Sequence, residues 1–298
     1  MNILIVCRHQ NVYSTKRLKI AAKKRKHNPI VINPNSFTLY AEKGHSGIFY
    51  KNQELKDIDV VIPRMGITGV EYGLSVVRQF GMLNIPVINS SEAISRSKDK
   101  FECLQFLAQK GIDVPPTILT RTGTSSAFNR IMFRLGGCPA ILKFIRGSQG
   151  KGVVIAESSL NAKSILEAMR CLDKDAMIQK YICEADGCDT RVFVLNGKAR
   201  AAMKRIAKPG EFRSNIHLGA KGIEIKISKE TAQLAEKAVK ILGLELAGVD
   251  ILETKTGPVV IEVNSSPGFQ GLEHATGLDI ADMIIRYAEE KARMKNDR

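Results

Sequence analysis

Along the first third of the chain, short apolar runs alternate with segments of helical spacing. The runs are NILIVC from Asn2, IVIN from Ile30, DVVIP from Asp59 and PVIN from Pro86. Between them, residues 15–26 and 71–83 repeat apolar positions at helical intervals. Buried strands separated by amphipathic helices predict a parallel sheet with helices on its faces. GIFYKNQEL, just before DVVIP, predicts a small hairpin turning at Lys51-Asn52. The polar, cap-rich stretch at residues 90–98 predicts a boundary.

Beyond it the order changes. A helix over 99–110, a Pro115-Pro116 turn, the strand TILT and a helix over 125–135 come first. PAILKFIRGSQGKGVVIAE then predicts a strand, a glycine-rich loop and a strand, followed by a helix near 160–172 and the strand AMIQKYI. TRVFVLNGKARAAMKRI is a hairpin turning at Asn196-Gly197, a strong turn signal. A polar loop spans 207–222, a helix spans 229–242, and LAGVDILETKTGPVVIEVN predicts a second hairpin. An amphipathic helix over 280–294 ends the pattern. The expected fold class is α/β, with α+β character in the C-terminal part. Three units are expected, over 1–97, 98–182 and 183–298.

Composition adds limits. The chain has 298 residues, 44% hydrophobic and 25% charged, which suits a soluble globular protein. No apolar run approaches the roughly 20 residues that span a bilayer. The start, MNILIVCRHQN, has no basic n-region or small-residue cleavage site, so the expected compartment is the cytoplasm. The six cysteines form no C-x-x-C pair and read as buried free thiols. The net charge of +15 points to an acidic partner. Its densest run, KRLKIAAKKRKH from Lys16, reads as the solvated face of a helix with Leu18, Ile20, Ala21 and Ala22 turned inward. There is no Trp and aromatics are few, so the interleaved stacking residues of a single-strand binder are missing.

Chemistry enters with Glu262 in the run GPVVIEVN. A carboxylate there is costly unless paired or bound to a cation. Glu262 and Asn264 share a strand face, and a turn near Thr256-Gly257 places Asp250 opposite Glu262. Two carboxylates and an amide suit a hard cation, Mg²⁺ above all; acids paired with lysines on a solvated sheet face are the other reading. Lys143, between apolar neighbours in AILKFI, needs an anion within reach. The glycines at 147, 150 and 152 that follow allow backbone N–H groups to cradle phosphate, although no P-loop pattern occurs. Together these features imply a nucleoside triphosphate held between two sheets.

The same order of motifs resembles the ATP-grasp superfamily and, within it, the RimK-type glutamate ligases. The residues that carry the resemblance are YSTKRL from Tyr13, VIPRMG from Val61, RQFGMLN from Arg78, and SKDKFECLQFLAQKGIDVP from Ser97. They continue with GSQGKGVVIAE, EADGCDTRVFV, KRIAKPGEFRSNIHLGA, LAGVDIL and EVNSSPGFQGLEHATGLDIA, so nearly the whole chain takes part. The resemblance implies an ATP-grasp fold with an N-terminal pre-ATP-grasp domain. It implies that Lys100 and Lys143 bind the ATP phosphates and that the backbone of Gln179, Lys180, Tyr181 and Ile182 meets the adenine. Asp189 resembles the nucleotide-side acid. Arg213, Ser214 and Asn215 resemble a loop that reaches the phosphates and the reacting carboxylate. Asp250, Glu262 and Asn264 resemble ligands of Mg²⁺, with two ions expected and Mn²⁺ as a substitute. Arg64 and Arg205 are candidate ligands for substrate carboxylates, and Arg205, Arg213 and Lys143 are the catalytic candidates. Asp189 with Arg191 as a surface ion pair is a competing reading, and His217 and His274 are expected to pack or face solvent. One position departs from the family: Lys180 stands where an acidic residue is usual.

The resemblance further implies ligation of L-glutamate to the C-terminal carboxylate of an acidic acceptor, such as ribosomal protein bS6 or a polyglutamate chain, through an acyl phosphate. A homo-oligomer is expected, with no membrane and no nucleic acid as substrate. Two alternatives stay open at this point. One is a ligase acting on a small-molecule or lysine-pathway acceptor. The other is a basic nucleic-acid-binding module with a degenerate nucleotide site.

Overall fold

In the computed structural model, which describes residues 1–66, 69–121, 125–145, 147, 152–171 and 175–296, the first apolar runs form a parallel sheet. Its strands are β1 (Asn2–Cys7), β2 (Asn28–Ile32) and β6 (Val60–Arg64), in the order β2-β1-β6. Val87 bridges Val61 in parallel at the edge. Ile3 and Ile5 pack towards helix α1 (Tyr13–Lys24), and Leu4 and Val6 towards α2 (Val70–Met82). Both faces of β1 are therefore buried, which is why it reads as an unbroken apolar run. In α1, Leu18, Ala21 and Ala22 are buried as expected, but Ile20 is 56% exposed. A helix buries only one stripe, and Ile20 falls outside it.

Between β2 and β6 lies an antiparallel meander of β3 (Phe37–Glu42), β4 (His45–Tyr50) and β5 (Gln53–Glu54). The turn at Lys51-Asn52 is as expected, while β3 had not been anticipated. The stretch expected as a boundary is itself a helix, α3 (Ser91–Lys98), capped by Ser90 Oγ accepting the Ala93 N–H at 3.2 Å. Asp99 then caps α4 (Lys100–Gln109) by accepting the N–H groups of Phe101 and Glu102. Asp99 thus ends one helix with its backbone N–H, which donates to Ser95 O, and starts the next with its carboxylate, a common use of Asp at an N-cap.

A second, antiparallel sheet has the order β7-β10-β8-β9, from β7 (Thr117–Leu119), β8 (Ala140–Phe144), β9 (Val153–Ala156) and β10 (Ala176–Lys180). Helices α5 (Ser125–Leu135) and α6 (Ser159–Cys171) belong to the same segment of chain, and Phe128, Met132, Leu166 and Met169 pack with Ala140, Leu142 and Ile178. The glycine-rich loop at 146–152 lies outside the described residues apart from Gly147 and Gly152. Gly152 has φ +72°, and a Cβ there would sit 2.3 Å from the Phe144 ring, so both conformation and space favour glycine.

The third sheet has five strands in the order β13-β12-β11-β14-β15. They are β11 (Cys188–Leu195), β12 (Lys198–Ile206), β13 (Lys221–Glu224), β14 (Leu246–Thr254) and β15 (Gly257–Asn264). Val192, Val194, Val249, Ile251, Val260 and Val263 pack on α7 (Lys229–Leu242) and α4. The opposite face is apolar at one end, where Phe193, Leu195, Met203 and Leu246 meet α8 (Gln270–Thr276) and α9 (Ile280–Asn296). Its other end carries charge.

A bulge in each hairpin decides which residues reach that charged end. From the turn Lys255-Thr256, a regular ladder would set Asp250 against Ile261; a register shift sets it against Glu262 instead. The expected pairing is observed, although the turn lies one residue earlier than expected. In the other hairpin, a shift at Phe193/Val194 sets Asp189 against Arg205 rather than Lys204. Because side chains alternate along a strand, each one-residue shift moves the charged set onto the shared face. No described helix is long and apolar enough to cross a membrane. The described cysteines are all free, but only Cys7 and Cys103 are buried; Cys171 and Cys183 are exposed, against the expectation of buried thiols.

Candidate functional site

Across the charged end of the third sheet, opposite charges alternate from strand to strand. Arg205 on β12 forks onto Asp189 on β11, Nε to Oδ1 at 2.6 Å and Nη2 to Oδ2 at 2.5 Å. Arg191 on β11 forks onto Asp250 on β14, with both contacts at 2.6 Å. Arg205 Nη2 also lies 2.9 Å from Asp250 Oδ2, which joins the two pairs. Ser214 Oγ donates to Asp189 Oδ2 at 2.5 Å. Asp189, Arg205 and Asp250 are all buried. Burial works to raise the Asp250 pKa, but the guanidiniums of Arg191 and Arg205 outweigh it and hold the carboxyl at about 2. Asp189 and Arg191 are thus not a surface pair; each is claimed by its cross-strand partner.

On the next strand Glu262 faces Asp250 directly. Its Oε1 is 2.7 Å from Lys100 Nζ, presented by the first residue of α4. With its oxygen turned to Arg191, the Asn264 amide accepts from Nη2 at 3.3 Å and donates to Glu262 Oε1 at 3.2 Å. Burial opposes ionisation of Glu262, but the Lys100 ammonium prevails and lowers its pKa. The acids are therefore paired, as one reading of the sequence had it, but on an enclosed face and mostly by arginine.

The central sheet contributes from its own side. Lys143 Nζ on β8 donates to Gln179 Oε1 at 2.7 Å, and Gln179 Nε2 donates to Thr117 Oγ1 at 2.8 Å. Burial and then the charge of Lys100 push Lys143 down to about 8, while Glu262, Asp250 and Asp189 pull the other way. An ammonium held in this way is poised for an anion. Strand β10 ends at Lys180, so Tyr181 and Ile182 continue past its last ladder position. The Lys180 side chain is exposed and its backbone N–H donates to Pro116 O at 2.9 Å. Arg213 folds back on Glu211, Nε to Oε1 at 2.9 Å and Nη2 to Oε2 at 2.7 Å. Asn215 accepts the Leu218 N–H on its carbonyl at 2.9 Å. His217 and His274 are exposed.

The structure therefore joins Lys100, Asp189, Arg205, Ser214, Asp250, Glu262 and Asn264 in one network, and Lys143 with Gln179 in another. Arg191 was missed as a functional candidate. Its place two residues after Asp189 put it on the same face, but its partner Asp250 lies on β14, across a pairing of strands that are not consecutive in the chain. The arrangement suits a polyanion bridged to a hard cation: two carboxylates and an amide side by side, with basic groups arriving from a helix and a second sheet.

Comparison with known proteins gives the family. A RimK-like ATP-grasp domain matches residues 97–288 and a RimK PreATP-grasp domain matches residues 1–94. A probable alpha-L-glutamate ligase of Vibrio vulnificus is 44% identical over all of this chain and 98% of its own length. One from Picosynechococcus is 42% identical over 98% of this chain and 96% of its own. Among solved structures, the ATP-grasp ligase PsnB complexed with a minimal precursor superposes with TM-score 0.77 at 20% identity, covering 97% of this chain and 98% of that one. The RimK domain ATP-grasp protein of Sphaerobacter thermophilus gives 0.74 at 20% identity, covering 96% and 99%.

Proposed function

The chain belongs to the RimK family of ATP-grasp ligases, and we propose that it joins L-glutamate to the terminal carboxylate of an acidic acceptor peptide through an acyl phosphate. It is an ATP-dependent ligase, which sets aside the nucleic-acid-binding module with a degenerate site. The observation that carries the finer reading is the convergence of Lys100 and Lys143, from two separate elements, on the carboxylate row of Asp250 and Glu262.

A carboxylate resists an amine because its oxygen is a poor leaving group. In the reading proposed, an acceptor carboxylate oxygen takes the γ-phosphoryl group of ATP, and ADP departs. The amine nitrogen of glutamate then attacks the acyl carbon, the bond from carbon to the phosphorylated oxygen breaks, phosphate leaves, and the nitrogen sheds a proton. Lys100 and Lys143 hold phosphate oxygens and offset their charge, and Arg213 joins them by releasing Glu211. The backbone of 179–182 positions the adenine. Asp189 and Arg205 fix each other and so hold Asp250 in place. Asp250, Glu262 and Asn264 form an all-oxygen donor set that fits Mg²⁺, which when bound would screen the charge of the triphosphate. Incubation with ATP, Mg²⁺, glutamate and a glutamate-rich peptide, followed by mass spectrometry, tests the reading. A ladder in glutamate steps is expected; ADP release with no mass gain on any peptide would overturn the peptide acceptor.

Two narrower outcomes follow. Because the Lys180 side chain is exposed, Lys180→Glu is expected to change the KM for ATP less than about tenfold, equivalent to about 1.4 kcal/mol. A larger shift in steady-state kinetics would give that side chain a part in nucleotide recognition. The second outcome concerns protons. Lys143 is held at about 8 against an ordinary 10.5, so charging it costs the free protein stability, and that cost fades as pH rises through 8 towards 10.5. A bound phosphate chain reverses the bias. ADP binding near pH 9 is therefore expected to take up a substantial fraction of a proton, and near pH 6 almost none. Calorimetry in buffers of different ionisation enthalpy measures this, and Lys143→Met should remove most of the uptake.

A further inference from the structure

Two cations beside this site, one buried and one half-buried, have no acid of their own among the described residues. Arg64, the last residue of β6, is 9% exposed. Its Nη2 donates to Ser14 Oγ at 3.1 Å and to Pro267 O at 2.7 Å, and its guanidinium lies 5.7 Å from the centre of the Phe269 ring. Lys98, the last residue of α3, donates its Nζ to Met65 O at 2.8 Å, on the residue next to Arg64. Neither forms an ion pair with any described residue, whereas Arg17, Arg25, Arg191, Arg205 and Arg213 each have a carboxylate within 3.0 Å.

Position matters as much as the missing charge. Pro267 follows Asn264 by three residues, and the Met65 N–H donates to Ser266 Oγ at 3.2 Å. The two cations thus lie against the loop that leaves the strand bearing Glu262 and Asn264. Burial and then the charge of Arg64 push Lys98 down to about 8, while Glu262 pulls it up. The field of the carboxylate row therefore reaches Lys98. Arg205 was the other candidate for a substrate carboxylate. It is committed to Asp189 through two contacts and to Asp250 through a third, so its charge is already answered.

A buried cation without a counter-ion disfavours the folded state, and such a cost persists where a ligand supplies the missing charge. We propose that Arg64 and Lys98 form a subsite that binds a non-reacting carboxylate of a substrate beside the ligation centre. Lys100 and Lys143 already face the carboxylate row as the phosphate-binding pair, which leaves Arg64 and Lys98 to the carboxylate-bearing substrates. The ligand chemistry is an alkyl carboxylate, and its source is free glutamate or the acidic end of the acceptor. Only the choice of source rests on the ligase reading above.

The binding test needs no turnover. Thermal unfolding of the full chain is followed with and without glutarate, a dicarboxylate that has no amine, and with inorganic phosphate as the contrasting anion. Glutarate is expected to raise the melting temperature of the wild type. Arg64→Met and Lys98→Met are each expected to melt higher than wild type without ligand and to lose most of the glutarate shift. Arg64→Lys, which keeps the charge, should retain part of it and serves if Arg64→Met does not fold. In steady-state ADP release, each Met variant is expected to raise one KM at least about tenfold with kcat changed less than about threefold. A rise in the KM for glutamate identifies the amino acid as the source, and a rise for the glutamate-rich peptide identifies the acceptor. The subsite is overturned if glutarate stabilises the Met variants as much as wild type, or if phosphate alone stabilises the wild type. If turnover fails for every peptide while the glutarate shift persists and is lost in the variants, the subsite stands and the acceptor reading falls.

Discussion

Glu262→Gln is expected to lower glutamate-dependent ADP release at least about a hundredfold while leaving the fold in place. The substitution keeps the shape of the side chain and removes one negative charge from a face where that charge is already answered by Lys100 at 2.7 Å. Glu262 is ionised at neutral pH because the ammonium prevails over burial. An amide would leave Lys100 without its partner and would remove one of the two carboxylates that face each other across β14 and β15. The structural penalty is small because Lys100 is at a helix start and can turn to Asp250 or to bound phosphate. Two measurements check this: ADP release at saturating Mg²⁺, and Mn²⁺ affinity from water-proton relaxation. Turnover within about threefold of wild type together with unchanged Mn²⁺ affinity would remove Glu262 from the proposed metal-ligand set.

The site was largely legible in the sequence because its residues sit in strands flanked by strong turn signals. Asn196-Gly197 fixed one hairpin, and the polar stretch ETKTG fixed the other to within a residue. The facing of Asp250 and Glu262 came out right for a partly wrong reason. The turn lies earlier than expected, and a bulge at Ile261 makes up the difference. Bulges leave little trace in composition, although here the buried valines do mark one. Val260 and Val263 lie three apart in a strand whose buried positions should alternate, and the skipped residue is the bulge. Val259 and Ile261 are equally apolar in the sequence, so the skip shows only once burial is known, and the row Arg205, Asp189, Arg191, Asp250 also needs the shift at Phe193/Val194 and the long-range pairing of β11 with β14.

What stayed hidden has physical reasons too. Helix α3 looked like a linker because Ser90, Ser91, Ser95 and Ser97 are turn formers; a single cap and the buried Ala93 and Ile94 were enough to make it a helix. Helix α8 has seven residues, too few to express a period. Strand β13 is polar because it is an edge strand paired only with β12. Ile20 followed the general preference of isoleucine for the core, and the geometry of the helix overrode it. That no described carboxylate pairs with Arg64 or Lys98 lies beyond any pattern, since it depends on which distant segments pack around them.

Removing the guanidinium at the centre of the row is expected to be the most damaging single change to stability. Arg205→Met leaves Asp189 at 6% exposure with only the Ser214 hydroxyl, and strips Asp250 of one of its two cations. Breaking a buried pair from one side costs about 3–5 kcal/mol, because the remaining charge stays buried. The pH dependence carries the sign. In the wild type the Asp250 pKa is about 2 against an ordinary 3.8, so its contribution is complete above 3.8 and is lost as pH falls towards 2. Burial already holds Asp189 above its ordinary value in the wild type despite Arg205, and losing that cation drives it higher still, so the variant regains more stability than the wild type as Asp189 protonates on acidification. The gap between the two proteins should therefore narrow steadily below pH 5 and nearly close by about pH 3. Urea unfolding at pH 7, 5 and 3.5 measures it. The double variant Asp189→Leu with Arg205→Met removes the stranded charge and should recover most of the loss at pH 7 while remaining inactive, since Asp250 has lost the group that positions it. If the double variant is no more stable than Arg205→Met alone, the damage comes from lost packing rather than from an unpaired carboxylate, and the electrostatic account of the row is wrong.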